Sequence, residues 1–96
     1  MTNLYRRGRI GEKKVVNSLK KKGFRNIRRS KGSRGPYDIY AKKKGKKNYI
    51  QVKTGSARAT SSEIKRLKRI AKERHGIAAV VYRNKGKNRW KFYGKW

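Results

Sequence analysis

No cysteine occurs among the 96 residues, which excludes a disulfide framework, a zinc ribbon and a thiol nucleophile. One histidine cannot build a multi-histidine metal site. No apolar run approaches the ~18 residues of a membrane span, and no apolar stretch follows the N-terminus. A membrane partner is therefore not expected, and the chain reads as a cytoplasmic protein. Large apolar side chains are scarce as well: Ile, Leu, Val and Phe together number 17 of 96. With a net charge of +28, that composition borders on the disordered class, so only periodicity can argue for a fold. Acids are scarcest of all. There are four: Glu12, Asp38, Glu63 and Glu73.

Against these absences stand 32 lysines and arginines, spread from Arg6 to Lys95. So basic a domain repels itself and is stabilised by a polyanion, and counterion release gives it strong, sequence-independent affinity for nucleic acid. The basic residues are not gathered on one amphipathic helix, which disfavours an anionic membrane surface. Charge alone fits ribosomal proteins, chromatin proteins and nucleases equally. The acids must discriminate among them.

Periodicity does predict a fold, and a single domain over 1–96. Tyr5, Gly8, Glu12, Val15, Val16 and Leu19 recur at helical spacing over residues 5–22, before a basic turn and the Gly23 stop. Residues 24–29 read as extended, and 30–36 as a loop rich in Gly and Ser. Residues 37–41 and 48–54 form a hairpin about the lysine-glycine turn. Thr60-Ser61-Ser62-Glu63 is a capping box, opening a second helix with Ile64, Leu67, Ile70 and Ala71 on its apolar stripe. The continuous apolar run 77–83 predicts a strand buried on both faces, and Trp90 to Tyr93 a last strand. The order α-β-β-β-α-β-β is an α/β fold, a mixed sheet flanked by helices.

Glu12 falls on the apolar stripe of the first helix, where a carboxylate costs several kcal/mol unless something pairs with it. With the turn near residue 44 or 45, hairpin partners sum to about 89, which sets Asp38 across from Gln51. Gln51 and Lys53 share a face by alternation, while Val52 points the other way. One face thus offers a carboxylate, a carboxamide oxygen and an ammonium group. The bland alternatives are a structural ion pair at Glu12 and an Asp38–Lys53 pair on a solvated face. Glu63 reads as a helix cap, Glu73 as a surface partner of Arg69, and His75 as a partner of the helix dipole. Phosphodiester hydrolysis needs a hard cation on oxygen ligands and a compensating positive group, and Glu12, Asp38, Gln51 and Lys53 could supply both.

Glu12, Gly35-Pro36-Tyr37-Asp38 and Gln51-Val52-Lys53 together resemble the PD-(D/E)xK nuclease pattern, whose core is αβββαβ and restriction-endonuclease-like. Within it the chain most resembles the archaeal Holliday junction resolvases, through Tyr5-Arg6-Arg7-Gly8, Lys22-Gly23-Phe24 and the loop Arg29-Ser30-Lys31-Gly32-Ser33. It continues through Arg66-Leu67 and Gly76-Ile77, so the likeness spans about residues 5–93. The resemblance implies a Mg²⁺-dependent endonuclease, with Mn²⁺ able to substitute, that works as a homodimer on four-way DNA junctions. It implies Glu12, Asp38, Gln51 and the Val52 carbonyl as metal ligands, and Lys53 as the group that polarises the nucleophile. Arg6, Arg7, Lys13, Arg29, Ser30, Lys31, Ser33 and Arg34 would contact DNA, Lys13 standing where these resolvases usually carry arginine. The chain departs from the family at Gln51, where the motif has glutamate. It departs again at Ile70 and Arg74, where the resolvases tend to place interface phenylalanines; Ile64, Leu67, Ile70 and the last strand remain as apolar candidates for a dimer face. A structure-nonspecific or restriction-type nuclease, and a non-catalytic ribosomal or chromatin-associated binder, are the competing readings.

Overall fold

A computed structural model of the chain describes residues 4–29 and 37–93, with side chains in the first helix from Gly11 onward. The elements are α1 (Leu4–Lys21), β1 (Arg25–Arg29), β2 (Ile39–Lys43), β3 (Lys46–Thr54), α2 (Ser61–Glu73), β4 (Ile77–Asn84) and β5 (Lys87–Tyr93). Their order is the one the periodicity predicts. The strands form one sheet in sequence order, β1-β2-β3-β4-β5. Only β3 and β4 run parallel, because α2 crosses between them; the other pairs are antiparallel.

The two antiparallel hairpins are set by two-residue turns, Lys44-Gly45 and Lys85-Gly86, with positive φ at both positions (50° and 78°, 50° and 76°). That is the type I′ turn, whose twist matches the strands it joins, with glycine at the second position where a side chain would be strained. The β2–β3 register follows from it: Ile39 faces Ile50 and Tyr40 faces Tyr49, each pair summing to 89 as expected.

Each face of the sheet carries one helix. On one face, α1 buries Val15 and Leu19 against Ile39, Ala41, Ile50, Ala79 and Val81, with Val52 and Trp90 packed at the margin. On the other, α2 buries Leu67 and Ala71 against Tyr49, Ala78 and Val80, edged by Tyr37, Tyr40 and Tyr82. Alternation along β3 therefore sends Ile50 and Val52 to α1 and leaves Tyr49, Gln51 and Lys53 on the side of α2. β4, an interior strand between β3 and β5, is buried from Ile77 to Val81, as its apolar run predicts. Among the described residues no helix is long and apolar enough to cross a membrane.

Candidate active site

The site begins where β2 has not yet joined the sheet. Asp38 stands one residue before the strand rather than within it, its N–H donating to the Ile50 carbonyl at 2.8 Å. Its side chain turns back, and Oδ2 accepts the Val52 N–H at 2.8 Å. Burial pushes the Asp38 carboxyl above its ordinary value, opposed by the Val52 N–H; the Glu12 charge raises it further, Lys53 lowers it and Glu63 raises it. Asp38 thus feels both glutamates and the lysine.

Glu12 reaches the site from α1. The preceding Gly11 is buried, and a Cβ there would stand 2.5 Å from the Thr54 methyl, so glycine lets the helix close onto the end of β3. Glu12 is partly buried, its side chain 24% exposed, rather than sunk in the core as its stripe position suggests. Its Oε2 accepts from Arg29 Nη2 at 2.9 Å, the ion pair that makes the position tolerable. Lys13 beside it is exposed.

Gln51 and Lys53 share a face of β3 as alternation requires, but Lys53 pairs with Glu63 rather than with Asp38. Lys53 Nζ lies 2.6 Å from Glu63 Oε2, and Gln51 Nε2 donates to the same oxygen at 2.7 Å. Glu63 is also the cap that the sequence predicts: Thr60 N–H donates to its Oε1 at 3.0 Å, and its own N–H donates to Thr60 Oγ1 at 3.2 Å. The Lys53 ammonium, then the Thr60 N–H and the Gln51 amide, hold its carboxyl down to about 2. A purely structural reading of Glu63 is therefore incomplete. The missed signal lay in the topology. A strand–helix–parallel strand crossover sets the N-terminus of α2 over the C-terminal end of β3, on the face that Gln51 and Lys53 occupy.

Asp38 thus lies within electrostatic reach of two of the chain's other three acids, Glu12 and Glu63, and Glu63 in turn holds Gln51 and Lys53, in a protein with 32 basic residues. The fourth, Glu73, makes no ion pair with Arg69 or any other described residue. Among the described residues no three acid or histidine side chains close on one point to hold a metal. The arrangement supplies a different oxygen instead. Gln51 Oε1 is buried and has no hydrogen-bond partner among the described residues, a costly state for a carbonyl oxygen unless a ligand completes it. A buried carboxyl with a raised pKa and an unpartnered amide oxygen suit a hard cation, which favours the ionised acid and binds the free oxygen.

Arg29 and Tyr37 further line a cavity of about 520 Å³ with Arg28, Lys42, Lys47, Arg74 and the half-buried or buried Tyr40 and Tyr49. No acid lines it, so the ground beside the acids is cationic. Ser30, Lys31, Ser33 and Arg34 lie outside the described residues, as do Gly35 and Pro36 and the side chains of Arg6 and Arg7.

The profile of the restriction endonuclease family Mrr_cat matches residues 11–88, from the turn that carries Glu12 to beyond β4. The chain belongs to this restriction endonuclease family. Its fold is the restriction-endonuclease-like α/β fold of PD-(D/E)xK nucleases. Among solved structures it is similar to Hjc of Archaeoglobus fulgidus, a Holliday junction resolvase from an archaeal hyperthermophile. The TM-score is 0.73 at 25% identity, over 90% of this chain and 75% of that one. No curated protein sequence matches. This member of the endonuclease family thus has a resolvase-like nuclease fold, with Gln51 and Lys53 in the motif's strand.

Proposed function

We propose that the protein is a metal-dependent endodeoxyribonuclease that cuts branched DNA, four-way junctions foremost. The observation that carries the reading is Asp38 within electrostatic reach of Glu12, Glu63 and Lys53, with the Gln51 oxygen buried and without a partner among the described residues. In a chain of +28, acids would otherwise scatter to relieve repulsion.

Asp38, Gln51 Oε1 and Glu12, with the Val52 carbonyl, would hold Mg²⁺ or Mn²⁺. When bound, the cation supplies charge stabilisation at the scissile phosphate. The rest is done by side chains. Lys53, anchored by Glu63, stabilises negative charge on the attacking oxygen. Asp38, fixed through the Val52 N–H, presents its second oxygen in one orientation. Arg29 leaves Glu12 for a phosphate when DNA arrives, and Lys13 lies beside it to do the same. The loop holding Ser30, Lys31, Ser33 and Arg34 follows Arg29 in sequence and would track the same strand, as would Arg6 and Arg7.

Resolving a junction requires paired nicks, so the functional unit would be a two-fold homodimer with two sites. Leu67 does not serve that interface, because it is fully buried against the chain's own sheet. Ile64 and Ile70 are half-covered, and Phe92 is 41% exposed. The family match favours a second reading, a restriction-type nuclease on linear duplex. One experiment separates them: labelled four-way junction, duplex and single strand are incubated with and without Mg²⁺. Symmetric nicking of the junction alone supports the resolvase, equal cutting of duplex supports the second reading, and binding without cleavage in any metal leaves a non-catalytic binder.

A further inference from the structure

The Gln51 carboxamide has two chemically opposite ends, and the structure fixes which faces which way. Glu63 Oε2 only accepts, so the end 2.7 Å from it must be the NH₂ group, and the oxygen is left at the other corner, buried and without a partner among the described residues. The same Oε2 holds Lys53 at 2.6 Å, while Glu63 Oε1 is engaged by Thr60 N–H. Capping needs only this last contact, and a glutamine at the third helical position serves it as well as a glutamate. The other two contacts require the carboxylate.

We infer that Glu63 is a positioning residue that sets the polarity of the Gln51 amide, turning an oxygen rather than an NH₂ group to the cation corner while anchoring Lys53. The inference rests on the metal-dependent nuclease reading and deepens it. The motif's missing charge has not left the site. It stands one hydrogen bond behind Gln51, on another element, and polarises the amide oxygen through the N–H it accepts.

The test is a polarity exchange. Glu63→Gln keeps the cap but sets an NH₂ group against both Gln51 Nε2 and Lys53 Nζ. Gln51 can then satisfy it only by turning its amide over, which puts nitrogen at the cation corner. The variant should fold, and its Mn²⁺-induced thermal stabilisation, titrated without DNA, should need roughly tenfold more metal. Turnover should fall with it, while DNA affinity stays unchanged. Combining Gln51→Glu with Glu63→Gln reverses donor and acceptor and returns an oxygen to the corner, so Mn²⁺ affinity and cleavage should recover to near wild type. Thr60→Ala weakens the cap alone and should leave Mn²⁺ affinity intact. Wild-type Mn²⁺ affinity in Glu63→Gln, or a double variant no better than that single one, would overturn the inference while Asp38→Asn could still uphold the nuclease. A wild type that Mn²⁺ does not stabilise at all would instead overturn the metal reading and the inference with it.

Discussion

Glu12 and Glu63 sit on two helices packed on opposite faces of one sheet, and they are held in opposite ways. Glu12 accepts from an arginine 37% exposed, a pair worth at most about 1 kcal/mol in water. Glu63 accepts from three donors, Thr60 at the cap of its own helix and Gln51 and Lys53 on β3, with its carboxyl drawn down to about 2. The difference lies in what the sheet presents below each helix. Under α1 stand Ile50 and Val52, which offer no side-chain donor; over α2's first turn stand Gln51 and Lys53. One carboxylate has a single exposed partner it is free to change, and the other is committed to three.

The sharpest way to break this contrast is at Asp38, which feels both glutamates. Asp38→Asn should lower cleavage by about a thousandfold or more while DNA affinity, carried by many basic contacts, stays within about twofold. Parallel loss of both in gel-shift and nicking assays would remove Asp38 from the chemistry. Stability comes next. Glu63→Ala strands a buried amide and an ammonium group and weakens the α2 cap, so it should cost about 1–3 kcal/mol in urea unfolding. Glu12→Ala should cost under about 1 kcal/mol. Equal costs would erase the distinction between free and committed.

Acid titration sharpens it further. The folded Glu63 carboxyl lies at about 2 against an ordinary 4.5, so its contribution is present above pH 4.5 and lost as pH falls toward 2. Asp38, with its pKa raised, acts in the opposite sense: protonation on acidification favours the folded state. Melting curves across pH 5 to about 2 should therefore fall in the wild type and flatten in Glu63→Gln. The smallest effect belongs to Arg29→Ala. It should change stability by under about 0.5 kcal/mol and reduce the salt dependence of log K for DNA by about one unit of slope.

The sequence made legible what is local or follows from a short turn. The Lys44-Gly45 turn fixed the sum of 89 and so the pairing of Ile39 with Ile50, next to which Asp38 stands, while alternation set Gln51 and Lys53 on a common face. The capping box was equally plain, because all its atoms lie within four residues. Partnership across elements was not. Lys53 chooses Glu63 over Asp38 because α2 returns over the end of β3, a fact of topology rather than spacing. Glu12 was placed on the right stripe, but its burial was set by Arg29 at the end of β1, which no periodicity in α1 can reveal. Leu67 could be core or interface by pattern, and packing on Tyr49, Ala78 and Val80 decided for core.

The contacts that assemble the acids also fix when they assemble during folding. Glu12–Arg29, Asp38–Val52 and Lys53–Glu63 join residues 17, 14 and 10 positions apart. Each closes its own loop, and each loop must be closed against chain entropy before its contact repays it. The +28 charge needs no such closure, since it belongs to the chain in any conformation. Attraction to nucleic acid therefore survives unfolding, whereas the acid cluster exists only once all three segments have docked. A half-folded copy can adhere to DNA without carrying the assembled group of acids, so tertiary structure itself acts as the safety catch.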